Sequence, residues 1–386
     1  MSWLVAAAFV FFGCNAAPQG GDTGTPDADV QTAAPAAAGQ GLFMVRVDNL
    51  RLRKEPNRQA GVVAQLREGS FVQGTGEVTS FRDTATLRGR FYEEPYYRVG
   101  TDAGEQGYAF GGGLLLVYAG TATGSPDRAR LSQYADQLKA LPAQRIESAG
   151  EAIAAAGNLL GAASPALADA IYVLLDDYLY SIQWDTDLFT QVDEIPWQDS
   201  DYEAVYEGRY PMDRHPVTRA LAANGFALAT AEGSIFPVKD QAAIDRLFRG
   251  KTSPAMTAYL DLELEEFRTP SMSEGGILIP IGDFARRALA WEQLATAYPD
   301  FVMHEMAVQR ARWEAFTLLG GADNSPASDY ETGRLYPEFA QAWQEVLAKA
   351  PKSQLAGHIR AVQAYIDDAD GVYPDAAMGY VYKMVE

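Results

Sequence analysis

Short apolar runs separated by glycine dominate the chain after residue 41 and predict β-strands. Several runs alternate apolar with polar positions, which is typical of strands with one buried face. The five clearest runs are Leu42–Val47, Gly61–Leu66, Ser70–Thr75, Tyr96–Val99 and Gln106–Phe110. Runs of this length at this spacing favour a small antiparallel β-barrel, which we place at residues 41–118.

A helical hydrophobic period replaces this pattern after a linker of Gly, Thr and Ser at residues 119–125. Ser125 followed by Pro126 is typical of a helix start, with serine as the N-cap and proline at the first position. Helices are predicted near residues 126–141, 144–157, 165–182, 217–231, 240–249, 254–267, 281–296, 300–319, 335–347 and 355–366. The chain is therefore predicted to be an α+β multidomain protein, with an all-α domain at residues 125–386 after the barrel.

The N-terminal segment predicts export and lipidation. Residues 2–13 are uncharged and apolar over the length of a signal-peptide core, too few to span a bilayer. With Gly13 before Cys14, the segment resembles the lipobox of bacterial lipoproteins, although Phe12 is larger than the family's usual residue. The resemblance implies a signal peptide and lipobox at residues 1–14, lipidation of Cys14, and a membrane anchor in the cell envelope that faces the periplasm. Residues 15–40 are rich in Ala, Pro, Gly and Thr and predict a disordered tether.

Residues 42–118 resemble a bacterial SH3b domain. The similarity lies in a Leu-Arg-Leu-Arg stretch at residues 50–53 that ends near Pro56, a strand running into Glu68-Gly69, the aromatic strand Tyr96–Val99 and a closing segment from Gly107 to Phe110. The resemblance implies a small SH3-like β-barrel that binds cell-wall peptide or glycan, or an envelope protein. The sequence departs from the family at residues 77–95, an insertion expected to reshape or cover the usual peptide-binding groove, and at Tyr108, where tryptophan is common.

Aromatic residues of this region are candidates for a binding groove, since aromatic faces pack on the apolar surfaces of sugars and side chains. The candidates are Tyr92, Tyr96, Tyr97 and Tyr108, with Phe110 beside them. The alternative interpretation is that these rings form the core of a small barrel. Arg51, Arg53 and Lys54 form a local basic cluster, which we interpret as a solvated loop face.

Composition restricts the function classes. The chain has 31 Lys plus Arg against 51 Asp plus Glu, a net charge of −20 that argues against nucleic-acid binding. Its one cysteine lies in the export signal, which excludes an internal disulfide and a cysteine hydrolase. His304-Glu305 begins like a zinc-protease helix, but Val308 occupies the position of the second histidine. We therefore expect neither a metal nor a cofactor.

An acidic and aromatic segment at residues 176–210 is the strongest candidate for enzymatic chemistry. Asp185, Asp193 and Glu194 lie among tryptophans and tyrosines in a part without clear periodicity. Paired carboxylates can cleave a glycosidic bond, so a cell-wall glycosidase is one hypothesis. In the alternative interpretation, the aromatic residues anchor a loop whose acids stay in water.

The sequence thus supports three hypotheses. The first is a lipid-anchored envelope protein with a non-catalytic SH3b-like binding module and a helical scaffold. The second is the carboxylate-dependent glycosidase. The third is a purely structural protein, in which the barrel packs against the helices and leaves no groove open.

Overall fold

The computed structural model describes residues 39–119, 126–142, 144–185 and 187–384, without the side chains of Pro126 and Asp185. The predicted signal segment 1–14, the lipidation residue Cys14 and nearly all of the tether 15–40 lie outside these residues. Among the residues described, no helix combines the length and the apolar character needed to cross a bilayer.

The N-terminal region is an antiparallel sheet with an inserted hairpin. Its strands are β1 Gly41–Val45, β2 Leu50–Arg53, β3 Val62–Leu66, β4 Phe71–Val78, β5 Asp83–Leu87, β6 Arg90–Glu94, β7 Tyr96–Gly100, β8 Gln106–Phe110 and β9 Leu114–Ala119. Seven of them pair in the order β3-β2-β8-β7-β4-β1-β9. Within the described residues, β3 and β9 do not pair with each other, so this part of the chain shows a sheet with two edges and not the closed barrel that was predicted. All five predicted strands occur.

The predicted insertion at residues 77–95 contains the hairpin β5-β6, which forms a sheet of its own. Arg88 and Gly89 connect the strands, and both have positive φ angles, 50° and 77°. A two-residue turn with positive φ at both positions matches the natural twist of a hairpin. Asp83, Ala85 and Leu87 are partly buried, whereas Thr84 and Thr86 between them are exposed. The hairpin therefore turns its odd-numbered β5 side chains toward the rest of the protein.

Helices dominate the remainder of the chain. They are α1 Pro126–Ala140, α2 Glu147–Leu160, α3 Pro165–Asp185, α4 Leu188–Asp193, α5 Asp199–Tyr206, α6 Pro216–Ala223, α7 Gln241–Phe248, α8 Pro254–Arg268, α9 Ile281–Ala297, α10 His304–Gly320, α11 Pro337–Lys349, α12 Gln354–Asp368 and α13 Asp375–Tyr382. Three two-stranded hairpins interrupt them: β10 Phe226–Ala231 with β11 Ser234–Lys239, β12 Met272–Ser273 with β13 Gly276–Ile277, and β14 Gly321–Ala322 with β15 Ser325–Pro326. The prediction of an all-α domain is thus wrong in detail, although the region is mainly helical.

The predicted helix at residues 217–231 shows the reason for this error. The helix α6 ends at Ala223, and Gly225 follows with a φ angle of 83° that a helix does not allow. The next six residues form β10, which pairs with β11 along its whole length. Alanine-rich sequence favours a helix locally, but the ladder of hydrogen bonds to β11 outweighs that preference. In the acidic segment, the part predicted to lack periodicity contains the two short helices α4 and α5.

Both faces of the sheet are apolar, and each packs into a different core. In β1, the side chains of Phe43 and Val45 join a cluster inside the sheet region, whereas Leu42 joins the large core of the helices. Phe71 of β4 and Val117 of β9 lie on the helical side with Leu42. Alternate residues of a strand point to opposite faces, so one strand serves two cores. The helix α3 lies directly against β9.

Polar contacts add to this packing between the sheet and the helices. Arg46 forms an ion pair with Asp177 of α3. Lys139 Nζ donates a hydrogen bond to the carbonyl oxygen of Glu68 at 3.1 Å, and an Arg128 nitrogen lies 2.6 Å from an Asp102 carboxylate oxygen. The sheet and the neighbouring helices therefore share one hydrophobic core and a polar border.

We expect Phe71→Ala to lower the free energy of unfolding of the whole protein by about 3 kcal/mol, because it leaves a cavity in the core that the sheet and helices share. Far-UV circular dichroism at a strand-sensitive and a helix-sensitive wavelength measures the effect during urea unfolding. The midpoints of unfolding at both wavelengths should shift to the same lower urea concentration. The exposed Phe91→Ala is the matched control and should change little. Separate transitions for the strand and helix signals would contradict a shared core.

Candidate ligand-binding site

A cavity of about 220 Å³ lies between the sheet and the inserted hairpin. The lining comes from the loop between β1 and β2, from β2 and the loop after it, from β5, and from the first residue of β7 and the last residue of β8. The residues that line it are Val47, Asp48, Asn49, Leu50, Arg51, Arg53, Arg58, Ala85, Leu87, Tyr96 and Phe110. The insertion thus does not simply close the surface of the sheet; it adds a wall to a cavity.

Asp83 holds the hairpin against the sheet. Its carboxylate accepts two hydrogen bonds from the Arg58 guanidinium, at 2.9 and 2.8 Å, and one from the Tyr96 hydroxyl at 2.8 Å. The hydrogen bond from Arg58 is the largest cause that lowers the pKa of Asp83 to about 2, and the bonds from Tyr96 and from the Thr84 backbone N–H act in the same direction. Asp83 therefore stays ionised and joins three elements that line the cavity.

The two arginines of β2 differ in exposure. Arg51 is exposed, whereas Arg53 is only 9% exposed. Arg53 Nη1 donates a hydrogen bond of 2.7 Å to the carbonyl oxygen of Ala60, and no carboxylate in the described part of the chain forms an ion pair with Arg53. The interpretation of a solvated loop face fits the exposed Lys54. Arg51 is exposed but lies in β2 and lines the cavity, and Arg53 is buried, so the interpretation is wrong for these two residues.

Of the four predicted tyrosines, only Tyr96 lines the cavity. Tyr96 is 3% exposed, and its ring meets Phe110 edge-on with a centroid distance of 5.8 Å. The other three lie in separate environments. The Tyr92 ring lies 5.9 Å from the Arg46 guanidinium beside the helices, and the partly buried Tyr97 packs 5.3 Å from the ring of Phe43.

Tyr108 lies at a third place, where its hydroxyl donates to the exposed Glu77. This hydrogen bond is the main cause that raises the pKa of Tyr108, whereas burial is the main cause that raises the pKa of Tyr97. The four predicted tyrosines therefore do not form one continuous groove.

The residues of the glycosidase hypothesis do not line either cavity that we describe. Asp193 ends α4, Glu194 follows it, and both are exposed. The side chain of Asp185 lies outside the described residues. Ion pairs occupy other acids of this segment: Asp176 with Lys239, Asp177 with Arg46, and Asp201 with Arg214. The glycosidase hypothesis stays a prediction. Some acids of its cluster form ion pairs within the protein.

A second cavity, of about 340 Å³, lies beside β9 and the helices. Asp169 lines it, and its carboxylate accepts a hydrogen bond of 3.0 Å from the backbone N–H of Ser253. Burial raises the pKa of Asp169 to about 6. The cavity extends to Ala119, where the described part of the chain is interrupted. No cluster of His, Cys, Asp or Glu suited to a metal ion occurs among the described residues.

A buried charged group also lies inside the helical region. Glu314 of α10 is 2% exposed, and its Oε2 has no hydrogen-bond partner in the part of the chain that the structure describes. Burial raises the pKa of Glu314 to about 7, although the nearby Arg310 opposes this shift. Glu263 of α8 is also buried, and burial raises its pKa. Neither residue lines a cavity that we describe, and a buried carboxyl group with a raised pKa bears on stability.

Known proteins supply no independent identification. No protein-family model, no curated protein and no solved structure matches the chain. The site must therefore be judged on its own geometry.

Sequence reasoning did not single out Arg58, Asp83, Ala85 or Leu87 as site residues. Asp83, Ala85 and Leu87 belong to an insertion without a family counterpart, so the resemblance gave them no role. The alternation from Asp83 to Leu87 and the turn at Arg88-Gly89 are signals that predict a hairpin. They do not show which face of the hairpin meets the sheet.

We expect Glu314→Gln to become more stable relative to the unmodified chain as the pH rises from 4.5 to 7. The folded protein keeps the Glu314 proton up to about pH 7, whereas the ordinary pKa is 4.5. The folded state thus binds more protons in this window, and its stability falls as the pH rises, by about 3 kcal/mol in total for this group. Thermal unfolding at pH 5 and pH 8 measures the difference.

The exposed Glu338→Gln is the control for the same chemical change. Its difference in melting temperature from the unmodified chain should be nearly the same at both pH values. If Glu314→Gln also differs from the unmodified chain by the same melting temperature at pH 5 and pH 8, the result would contradict a raised pKa at Glu314.

Proposed function

We propose that this chain is a lipid-anchored protein of the bacterial cell envelope, whose sheet region is an SH3b-like module that binds the peptide part of the cell wall. The helical region is the scaffold on which the module is held. The observation that carries the proposal is the cavity between the sheet and the inserted hairpin, because it combines aromatic and aliphatic walls with arginine side chains. Recognition sites for small ligands commonly have this composition.

The position of the cavity supports an SH3b-like role. It lies between the Leu-Arg-Leu-Arg segment and the insertion at residues 77–95, the two features on which the family resemblance and its main departure rest. The insertion forms a wall with Ala85 and Leu87, so the hairpin reshapes this surface and leaves a concave space. A purely structural role would not require that space.

The size of the cavity favours a short peptide segment. Cavities for drug-sized ligands measure about 300 to 1,000 Å³, and this one is smaller, at about 220 Å³. One or two small residues of a peptide suit such a volume better than an extended glycan. A protein partner that inserts a single side chain, or a glycan, would be the alternative outcome of a binding experiment.

The envelope location rests on the N-terminal segment. An apolar run of signal-peptide length, Gly13-Cys14 and a polar tether after it together resemble an exported lipoprotein. A lipid anchor followed by a tether of this kind would hold the sheet region near the cell wall. The proposal therefore joins a location and a ligand that occur in the same compartment.

The glycosidase alternative has less support from the geometry. Such enzymes place two carboxyl groups across the bond that breaks, at about 5 to 10 Å from each other. Asp193 and Glu194 are consecutive at the end of a short helix, where neighbouring side chains point in different directions. Both are exposed to solvent.

Co-sedimentation of the full chain in mild detergent with purified peptidoglycan tests the binding proposal. We expect the unmodified chain to sediment with the wall and Ala85→Trp to lose most of this binding, because an indole would fill the cavity. Thr86→Trp is the control, since Thr86 is on the exposed face of the same strand. Thermal unfolding verifies that both variants fold. Absence of sedimentation, or equal sedimentation of Ala85→Trp and the unmodified chain, would contradict the proposal.

A further inference from the structure

We infer that the cavity recognises a free carboxylate at the end of a short peptide with small apolar side chains, through Arg53 and Arg51. This inference rests on the proposed function and names the chemical class of its ligand. It depends on the hydrogen bonds and ion pairs of the arginines that line the cavity and on the apolar residues that line it with them.

Arg53 is the main observation. It is 91% buried, and its single side-chain hydrogen bond in the described part of the chain goes from Nη1 to the Ala60 carbonyl oxygen at 2.7 Å. A guanidinium has five N–H donors, so most of those of Arg53 remain for another acceptor. Burying a cation without an acidic partner is costly, and such residues are usually paired.

Two other arginines with little exposed surface have acidic partners. Arg287 is 4% exposed and has a nitrogen 2.8 Å from a Glu266 carboxylate oxygen. Arg46, at the border with the helices, pairs with Asp177. Arg53 differs from both because no acid forms an ion pair with it among the described residues. A ligand carboxylate would supply the missing partner.

The remaining charges of the lining leave the cavity positive. The charge of Arg58 is compensated by Asp83, which accepts two hydrogen bonds from its guanidinium. The carboxylate of Asp48 lies 3.8 Å from Lys139 Nζ. Arg51 has no ion pair in the described part of the chain and lies on the same strand as Arg53. The protein as a whole has a net charge of −20, so the positive charge of this site is a local feature. A local positive charge attracts anions.

The apolar part of the lining favours small apolar side chains. Val47, Ala85 and Leu87 provide aliphatic surface, and Tyr96 and Phe110 provide aromatic surface. A carboxylate bound by Arg53 would place the adjoining side chains of a peptide against these walls. Arginine binds a carboxylate through two parallel hydrogen bonds, which fixes the direction of the peptide end as well as its charge.

Isothermal titration of the full chain with N-acetyl-alanyl-alanine and with its C-terminal amide tests the inference, using both L and D alanine. We expect the free acid of one configuration to bind about tenfold more tightly than its amide, as is usual for charge-assisted hydrogen bonds. Arg53→Gln and, more weakly, Arg51→Gln should remove this preference. Arg98→Gln is the control, because Arg98 of the same sheet already pairs with Glu77 at 2.9 Å.

Each outcome decides the inference. Equal binding of acid and amide, or a preference that persists in both Arg53→Gln and Arg51→Gln, would overturn it. Because Arg53 is buried, Arg51→Gln and Ala85→Trp keep the test valid where Arg53→Gln fails to fold. If no peptide binds but the unmodified chain still sediments with peptidoglycan, the carboxylate inference is wrong and the proposed function stands. If neither binding occurs, both are wrong.

Discussion

The structure depends on a sheet that is apolar on both faces. Alternate residues of β1, β4 and β9 supply one core within the sheet region and a second core shared with the helices. Burial of apolar area is the largest favourable contribution to folding, so this shared core fixes the sheet against α3. The face of the sheet that the helices cover cannot also bind a ligand. The cavity lies where the inserted hairpin, and not a helix, covers the sheet.

The hairpin adds a wall to the cavity at the sheet, and Asp83 is one of the residues that join the hairpin to the sheet. A carboxylate that accepts hydrogen bonds from both Arg58 and Tyr96 joins the loop after β2, the hairpin and β7. The same interaction pairs Arg58 with an acid, whereas Arg53 has no ion pair in the part of the chain that the structure describes. Structure and proposed function are thus linked, because the contact that joins the hairpin to the sheet also engages one of the arginines that line the cavity.

Sequence reasoning predicted the five strands, most helices and the transition from sheet to helices, because these follow from local periodicity and helix-start signals. It failed at residues 217–231, where pairing of β10 with β11 outweighs the helix preference of alanine. It identified Tyr96 as a candidate but joined it with Tyr92, Tyr97 and Tyr108, since spacing along a strand does not show which neighbours cover each ring. Burial of Arg53 was also not predictable, because it depends on how the loop after β2 folds back.

The central claim is that the cavity between the sheet and the hairpin is the ligand-binding site. A ¹H–¹⁵N NMR titration with enzymatically solubilised cell-wall peptides tests it most directly, if side-chain Nε–Hε signals of arginine are recorded with the backbone amides. The account predicts shifts at Ala85, Leu87 and the Arg53 side chain, with little change in the helices. Shifts confined to the helical region, for example around Asp193 and Glu194, would contradict it.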